Sequence, residues 1–338
     1  MKIYRYQHPF HLESGETLPE IEVGYTTYGQ LNSQGDNVVW VCHALTANSD
    51  PQEWWPGLIG EGKLYDPEKY FIVCANILGS CYGSTNPDSI NPVTGMRYGK
   101  DFPLVTIRDI VKSLILLRIH LGIDSIYIAT GGSMGGQQAL EWAIMEPTLI
   151  QNLIVIGTNA KHSPWGVAFN EAQRMALEAD PTLYSDEADG GMKGLEAARA
   201  VAMLSYRNYQ AYHLTQMEEG EKLDGFKASS YQRYQGLKLR KRFRPLSYLI
   251  LSKGMDSHDL GRGRGGYAQA LSIIRAHTLV FGIASDFLFP ISEQEEISKN
   301  IKGAVLEVID SPFGHDGFLI EFAQITHKVH EFLDHKLG

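Results

Sequence analysis

The chain has 338 residues and a formal net charge of −9, with 30 lysines and arginines against 39 aspartates and glutamates. Its 43% hydrophobic and 20% charged residues are a globular composition, which excludes a disordered chain, a collagen or a coiled coil. The acidic balance excludes a protein whose main task is holding nucleic acid, since that needs a strong positive footprint.

The first residues, MKIYRYQHPFHLESGE, contain no apolar run of the kind that begins a secretory signal. The longest greasy stretch, 113–123, is interrupted by Arg118 and His120 and is too short to span a bilayer. Three cysteines, Cys42, Cys74 and Cys81, suit a reducing compartment better than a disulfide framework. The expectation is a cytoplasmic protein with no membrane and no nucleic-acid partner.

In chain order, residues 3–6 and 20–28 look like antiparallel strands leading into a sheet. Short apolar runs at 37–42 (NVVWVC), 70–76 (YFIVCAN), 125–130 (SIYIAT), 153–157 (LIVIG), 277–283 (HTLVFGI) and 304–309 (AVLEVI) read as buried parallel strands. Ile107, Ile110, Val111, Leu114, Leu117 and Leu121 make one helical stripe between them. Asp316 is expected to cap a last helix carrying Phe318, Phe322, Ile325 and Val329 on one face. Alternating strands and helices imply an α/β fold with a mostly parallel, doubly wound sheet. The alternation lapses between 161 and 276, where helical patterns such as 169–179 and 195–206 appear without a buried strand. That stretch reads as an inserted helical lid over a core built from 1–160 and 277–338. Insertions at strand C-termini cover the ligand crevice of such sheets.

The segment 125–143, SIYIATGGSMGGQQALEWA, carries the strongest chemical signal. Gly131, Ser133 and Gly135 fit G-x-S-x-G, directly after an apolar strand and opening a helix. A strand-to-helix turn that sharp strains the serine backbone and leaves no room for side chains beside it, hence the glycines. It lifts the hydroxyl to a helix N-terminus, where main-chain N–H groups favour developing negative charge. Such a serine needs a base, and the base an orienting carboxylate, in the chain order Ser, Asp or Glu, His. Asp286, after the strand 277–283, and His315, after 304–309, meet that order. His43, His258 and His277 are rival bases, and Asp310 is a rival acid. Main-chain N–H groups of Met134 and of Leu45, in the loop HALTA, are the expected oxyanion donors. The basic run KLRKRFR (238–244) is expected to be a solvated helix face, with attraction of a polyanion such as coenzyme A as the functional alternative. GRGRGG (261–266) is expected to be a flexible loop at the lid boundary. No metal-binding spacing of Cys and His is present.

These residues resemble the homoserine O-acetyltransferases, a transferase branch of the α/β-hydrolases. The matching pieces are CHALTA (42–47), NILGSCYGSTNP (76–87), YGKDFPLVTIRDIV (98–111), GGSMGGQQALEWA (131–143), LSYRN (204–208), MDSHDLGRGRGG (255–266), SDFLFP (285–290) and GHDGFL (314–319). They run in family order along nearly the whole chain; Ala47 and Asn86 stand where the family often has glycine. The resemblance implies an α/β-hydrolase fold and a ping-pong transfer in methionine biosynthesis. Ser133 would take an acetyl group from acetyl-CoA, with His315 as base and Asp286 orienting it, and pass it to L-homoserine. It further implies that Arg207 binds the homoserine carboxylate and Asp316 its ammonium, that acetyl-CoA is a co-substrate with no separate cofactor, and that the protein is a homodimer joined through the lid. A succinyl donor, a serine acceptor, or a simple Ser-His-Asp esterase are the alternatives.

Overall fold

The computed structural model describes residues 1–185, 187 and 189–334. Strand β1 (Lys2–Tyr6) pairs antiparallel with β4 (Ile21–Tyr28), and a small ribbon of β2 (Phe10–His11) and β3 (Thr17–Leu18) lies between them in sequence. The chain then enters β5 (Val38–Cys42), whose five residues are all buried. Val38, Trp40 and Cys42 join the apolar core on one face of the sheet, and Val39 and Val41 join the core on the other. A strand covered on both faces has no polar alternation, which is why it reads as an unbroken apolar run.

Helix α1 (Pro51–Trp54) leads to β6 (Phe71–Ala75), followed by α2 (Ile107–His120), β7 (Ile126–Gly132), α3 (Met134–Met145) and β8 (Ile150–Ile156). Helix α2 starts at a capping box in which Thr106 and Asp109 satisfy each other's main-chain N–H groups. Five residues of the expected stripe, Ile107, Ile110, Val111, Leu114 and Leu117, are buried. Each contributes about 1.5–3 kcal/mol of burial energy. Leu121 falls just past the helix end. Trp142 of α3 meets Trp40 edge to face at 4.8 Å, which seats the helix on the sheet.

Among the described residues between β8 and β9 (His277–Ile283) lie six helices: α4 (Pro164–Glu178), α5 (Met192–Tyr206), α6 (Tyr209–Gln216), α7 (Lys227–Arg240), α8 (Pro245–Asp256) and α9 (Tyr267–Leu271). No strand occurs among the described residues there. Helix α10 (Ile291–Asn300), β10 (Val305–Ile309) and α11 (Phe322–Asp334) complete the chain. The eight-stranded sheet has the order β1-β4-β6-β5-β7-β8-β9-β10. It is parallel from β6 through β10 and antiparallel at β1 and β4. The chain moves outward from β5 to β6 and then returns to β7 on the other side of β5. That reversal opens a crevice at the C-terminal ends of β5 and β7, where doubly wound sheets bind ligands.

Four expectations are corrected. Of the six runs expected to be buried strands, 304–309 differs: β10 is the edge of the sheet, and Val305 and Val308 are exposed because no further strand or helix among the described residues covers them there. Asp316 does not cap the last helix: it lies in a 3-10 turn, Gly314–Leu319, together with Phe318, and α11 begins only at Phe322. Each glycine-flanked step of GHDGFL favours a tight turn over a continuous helix. The GRGRGG segment is not loose. Arg264 pairs with Glu141 of α3 at 2.5 Å, and Arg262 with Glu13 at 3.0 Å. Arg108 of α2 holds both acids from the other side, at 2.6 Å to Glu13 and 2.9 Å to Glu141. The basic run 238–244 is only partly a helix face, because α7 ends at Arg240.

Candidate active site

Strand β7 ends in Gly131 and Gly132, and Ser133 turns the chain into α3. Ser133 has φ 56° and ψ −127°, the one non-glycine residue with positive φ among those described. Such a conformation costs on the order of 1–3 kcal/mol and persists only where the surroundings enforce it. Here they do. A side chain at Gly135 would place its Cβ 2.1 Å from the Cys42 carbonyl oxygen, and one at Gly131 would meet Gly135 at 2.5 Å. The Ser133 main-chain N–H donates to the Ile156 carbonyl at 2.9 Å, and the Thr158 hydroxyl donates to the Ser133 carbonyl at 2.8 Å. Both ends of the strained peptide are thereby fixed.

His315 is buried in the 3-10 turn. Its Nδ1 lies 2.6 Å from Oδ2 of Asp286, and Oδ1 of Asp286 accepts main-chain N–H groups from Leu288 and Phe289 at 2.9 and 3.0 Å. With both carboxylate oxygens engaged, Asp286 fixes the plane of the imidazole and the proton on Nδ1. Phe289 stacks on the ring at 4.9 Å and Phe318 meets it at 5.3 Å. The other nitrogen, Nε2, is buried without a hydrogen-bond partner. Gly157, beside the pair, has φ +52°, a conformation that favours glycine.

The rival residues are occupied elsewhere. The His43 Nδ1 contacts the Ala44 carbonyl and its Nε2 accepts from the Ile77 N–H. Burial depresses its pKa to about 4. His258 binds the Asn159 carbonyl, and burial takes it to about 3. His277 stacks on Phe332 at 3.9 Å at the start of β9, the far end from the crevice. Asp310 is exposed, and its main chain is tied to the side chain of Gln324.

Ser133, His315 and Asp316 line one cavity of about 390 Å³, together with Leu45 and Thr46 from the loop after β5. Met134, the first residue of α3, presents its N–H from the helix N-terminus. Gln138, one turn into α3, donates to the His43 carbonyl at 3.0 Å and the Met134 carbonyl at 3.1 Å. It ties the two expected oxyanion segments to each other. Gln138 was not singled out by sequence, although its place four residues after Met134 is the available signal.

Arg207 is the residue expected to bind the homoserine carboxylate. Its Nε is paired with Asp316 Oδ2 at 3.0 Å, and it is not among the residues lining the cavity. It lies over the rings of Tyr231 and Phe313 at 5.7 and 5.9 Å. Three other cations line the cavity: Arg199 of α5, Lys238 of α7, and Arg242 just beyond α7. Arg199 rests over the Tyr206 ring at 5.1 Å. The spacing of Arg199 one helical face before Tyr206 and Arg207 carried no distinguishing signal. Glu293 is a further residue the sequence did not mark. It is half-buried, and desolvation, with the Asp286 charge adding to it, raises its pKa to about 7. Among the described residues no group of His, Cys, Asp and Glu is arranged to hold a metal ion, and no helix is long and apolar enough to cross a membrane.

Comparison with known proteins gives a consistent result. The alpha/beta hydrolase fold family matches residues 37–322. The homoserine O-acetyltransferase of Cyclobacterium marinum is 53% identical, with 98% of this chain and 94% of that protein covered. The crystal structure of homoserine O-acetyltransferase from Bacillus anthracis superimposes with a TM-score of 0.89 at 26% identity, covering 98% and 97% of the two chains. An acetylester hydrolase from Corynebacterium glutamicum gives a TM-score of 0.87 at 25% identity, covering 98% and 95%.

Proposed function

Because the chain belongs to the homoserine O-acetyltransferase family of the α/β-hydrolases, we propose that it moves an acetyl group from acetyl-CoA to L-homoserine through an acyl-serine, a step of methionine biosynthesis. The observation that carries the mechanism is the 2.6 Å bond between Asp286 and His315, with Nε2 of the same ring unpartnered on the cavity that holds Ser133. A ring so fixed can take one proton and return it.

In the first half-reaction Ser133 Oγ attacks the thioester carbonyl and His315 Nε2 takes the hydroxyl proton. The tetrahedral oxyanion is held by the N–H groups of Met134 and Leu45. Its collapse breaks the C–S bond, and the departing thiol takes the proton from His315. In the second half-reaction the homoserine hydroxyl attacks the acyl-serine, His315 takes its proton, and Ser133 leaves with that proton restored. Asp286 keeps the imidazolium oriented and electrostatically compensated throughout. Acetyl-CoA is a co-substrate, and no further cofactor enters.

Asp316 on the cavity wall supplies the charge an ammonium needs, and Arg207, paired to it, the charge a carboxylate needs. A zwitterion entering a poorly solvated cavity requires both. The acetylester hydrolase likeness keeps a second reading in view, in which water resolves the acyl-enzyme. Incubation with acetyl-CoA or succinyl-CoA, plus homoserine, serine or water, following thiol release, separates these. Fast release only with acetyl-CoA and homoserine supports the transferase; equal release without any acceptor supports the hydrolase. We assign the protein to the cytoplasm on its sequence. We further propose a homodimer joined through the lid, where α6 and the segment after it expose Tyr209, Leu214, Met217 and Leu223. Light scattering on the purified protein tests that assembly.

A further inference from the structure

Four of the five cations of KLRKRFR divide into two sets in the folded protein. Arg240 pairs with Glu196 at 2.6 Å and Arg244 with Asp88 at 3.0 Å, so these two serve the lid. Lys238 and Arg242, four residues apart, instead reach the wall of the cavity that holds Ser133. Both are exposed, whereas Ser133 and His315 are buried. The cavity thus runs from a buried nucleophile to a solvent-facing cationic rim. Lys238 has no carboxylate partner among the described residues. Arg242 donates to the Thr46 carbonyl and hydroxyl and to the Tyr82 hydroxyl at 3.1 Å, again with no carboxylate. Of the two acids on the same wall, Asp316 is paired with Arg207, and Glu53 accepts a hydrogen bond from Asn48 at 2.9 Å.

A short zwitterionic acceptor has no use for cations at the mouth, because its two charges must lie beside the hydroxyl it delivers to the floor. A long donor with a neutral reactive end and a polyanionic far end matches the gradient from floor to rim. We propose that Lys238 and Arg242 form the docking site for the phosphates of the acyl-thioester donor, holding its anionic end at the cavity mouth while the thioester reaches Ser133. The proposal rests on the acyl-CoA reading above. Arg242 has a second consequence: through the Thr46 carbonyl it ties the lid to the loop that carries Leu45. Arg242 thereby contacts the residue next to the expected oxyanion donor.

Because Arg242 also holds that loop, Lys238 and Glu53 carry the test. Acylation of Ser133 is measured with acetyl-CoA and with S-acetyl-N-acetylcysteamine, a thioester without phosphates. Lys238→Ala is expected to raise KM for acetyl-CoA about 3- to 5-fold relative to KM for the small thioester, and Lys238→Glu about 10-fold or more. Glu53→Gln is expected to move the same ratio the opposite way. Raising ionic strength should weaken acetyl-CoA in the wild type, less so in Lys238→Ala, and leave the small thioester unaffected. Equal shifts with both donors, or no shift of the ratio in Lys238→Glu, overturn the docking site while leaving the donor reading intact. A wild-type protein acetylated by the small thioester but not by acetyl-CoA overturns the donor reading, and the docking site with it.

Discussion

Arg207 and Asp316 are ion-paired across 109 residues of sequence, Nε to Oδ2 at 3.0 Å, so the lid and the turn that carries His315 are joined by one salt bridge. Each charge therefore satisfies the other. Under the proposed function, an incoming zwitterion would take over this arrangement, its ammonium on Asp316 and its carboxylate toward Arg207, without either protein charge being stranded. Asp316 lines the cavity and Arg207 does not.

From that pair follows a split between half-reactions. Arg207→Ala and Asp316→Asn should each leave acetylation of Ser133 nearly intact and impair transfer to homoserine. Loss of one charged partner is expected to cost roughly 2–5 kcal/mol in the second step. Arg207→Lys should restore transfer only in part, since a point charge cannot copy a planar fork. Single-turnover measurement of each half-reaction checks this; acylation slowed as much as transfer in Arg207→Ala would mean that the arginine merely anchors the lid.

Ser133→Ala should abolish both acyl-enzyme formation and transfer, a loss on the order of 10⁴-fold or more. Intact mass after exposure to acetyl-CoA alone should rise by one acetyl group in the wild type only. An acetylated Ser133→Ala protein would place the nucleophile elsewhere.

His315→Ala should nearly match Ser133→Ala, because the two act as a unit. Asp286→Asn should be severe but milder, since the amide no longer sets the Nδ1 proton. Asp310→Asn should be silent, as Asp310 is exposed and away from the imidazole. The three turnover rates decide between the acids.

Glu293 makes stability depend on pH. Burial raises its folded pKa from an ordinary 4.5 to about 7, so the folded state favours the neutral carboxyl. The folded state then binds a proton that the unfolded chain has released, and this contribution to stability is given up as the pH climbs from about 4.5 to about 7. Glu293→Gln carries no such charge. The Tm of Glu293→Gln relative to wild type should therefore be higher at pH 8 than at pH 5. A constant difference between the two pH values would contradict the assignment.

Sequence alone determined the parts of this protein that local chemistry dictates. The six apolar runs became β5 to β10: β5 to β9 are largely buried, and a strand covered on both faces must be apolar throughout, whereas β10 is an edge strand with Val305 and Val308 exposed. G-x-S-x-G became a strained turn because no residue larger than glycine fits at 131 or 135. The chain order of Ser133, Asp286 and His315 was legible for the same reason: each follows a strand, and parallel strands deliver their ends to one edge. Only the tertiary structure decided which charges face which. In KLRKRFR five cations are equivalent as text; helix phase and the position of α7 against the crevice send Lys238 and Arg242 to the cavity and Arg240 to Glu196. Arg262 and Arg264 look like loose loop residues until folding brings Glu13 and Glu141 beside them, and nothing in the sequence pairs Arg207 with Asp316 until the fold brings the two together from distant parts of the chain. Electrostatic pairing depends on distance in space, and for charges this far apart in sequence the fold alone sets that distance.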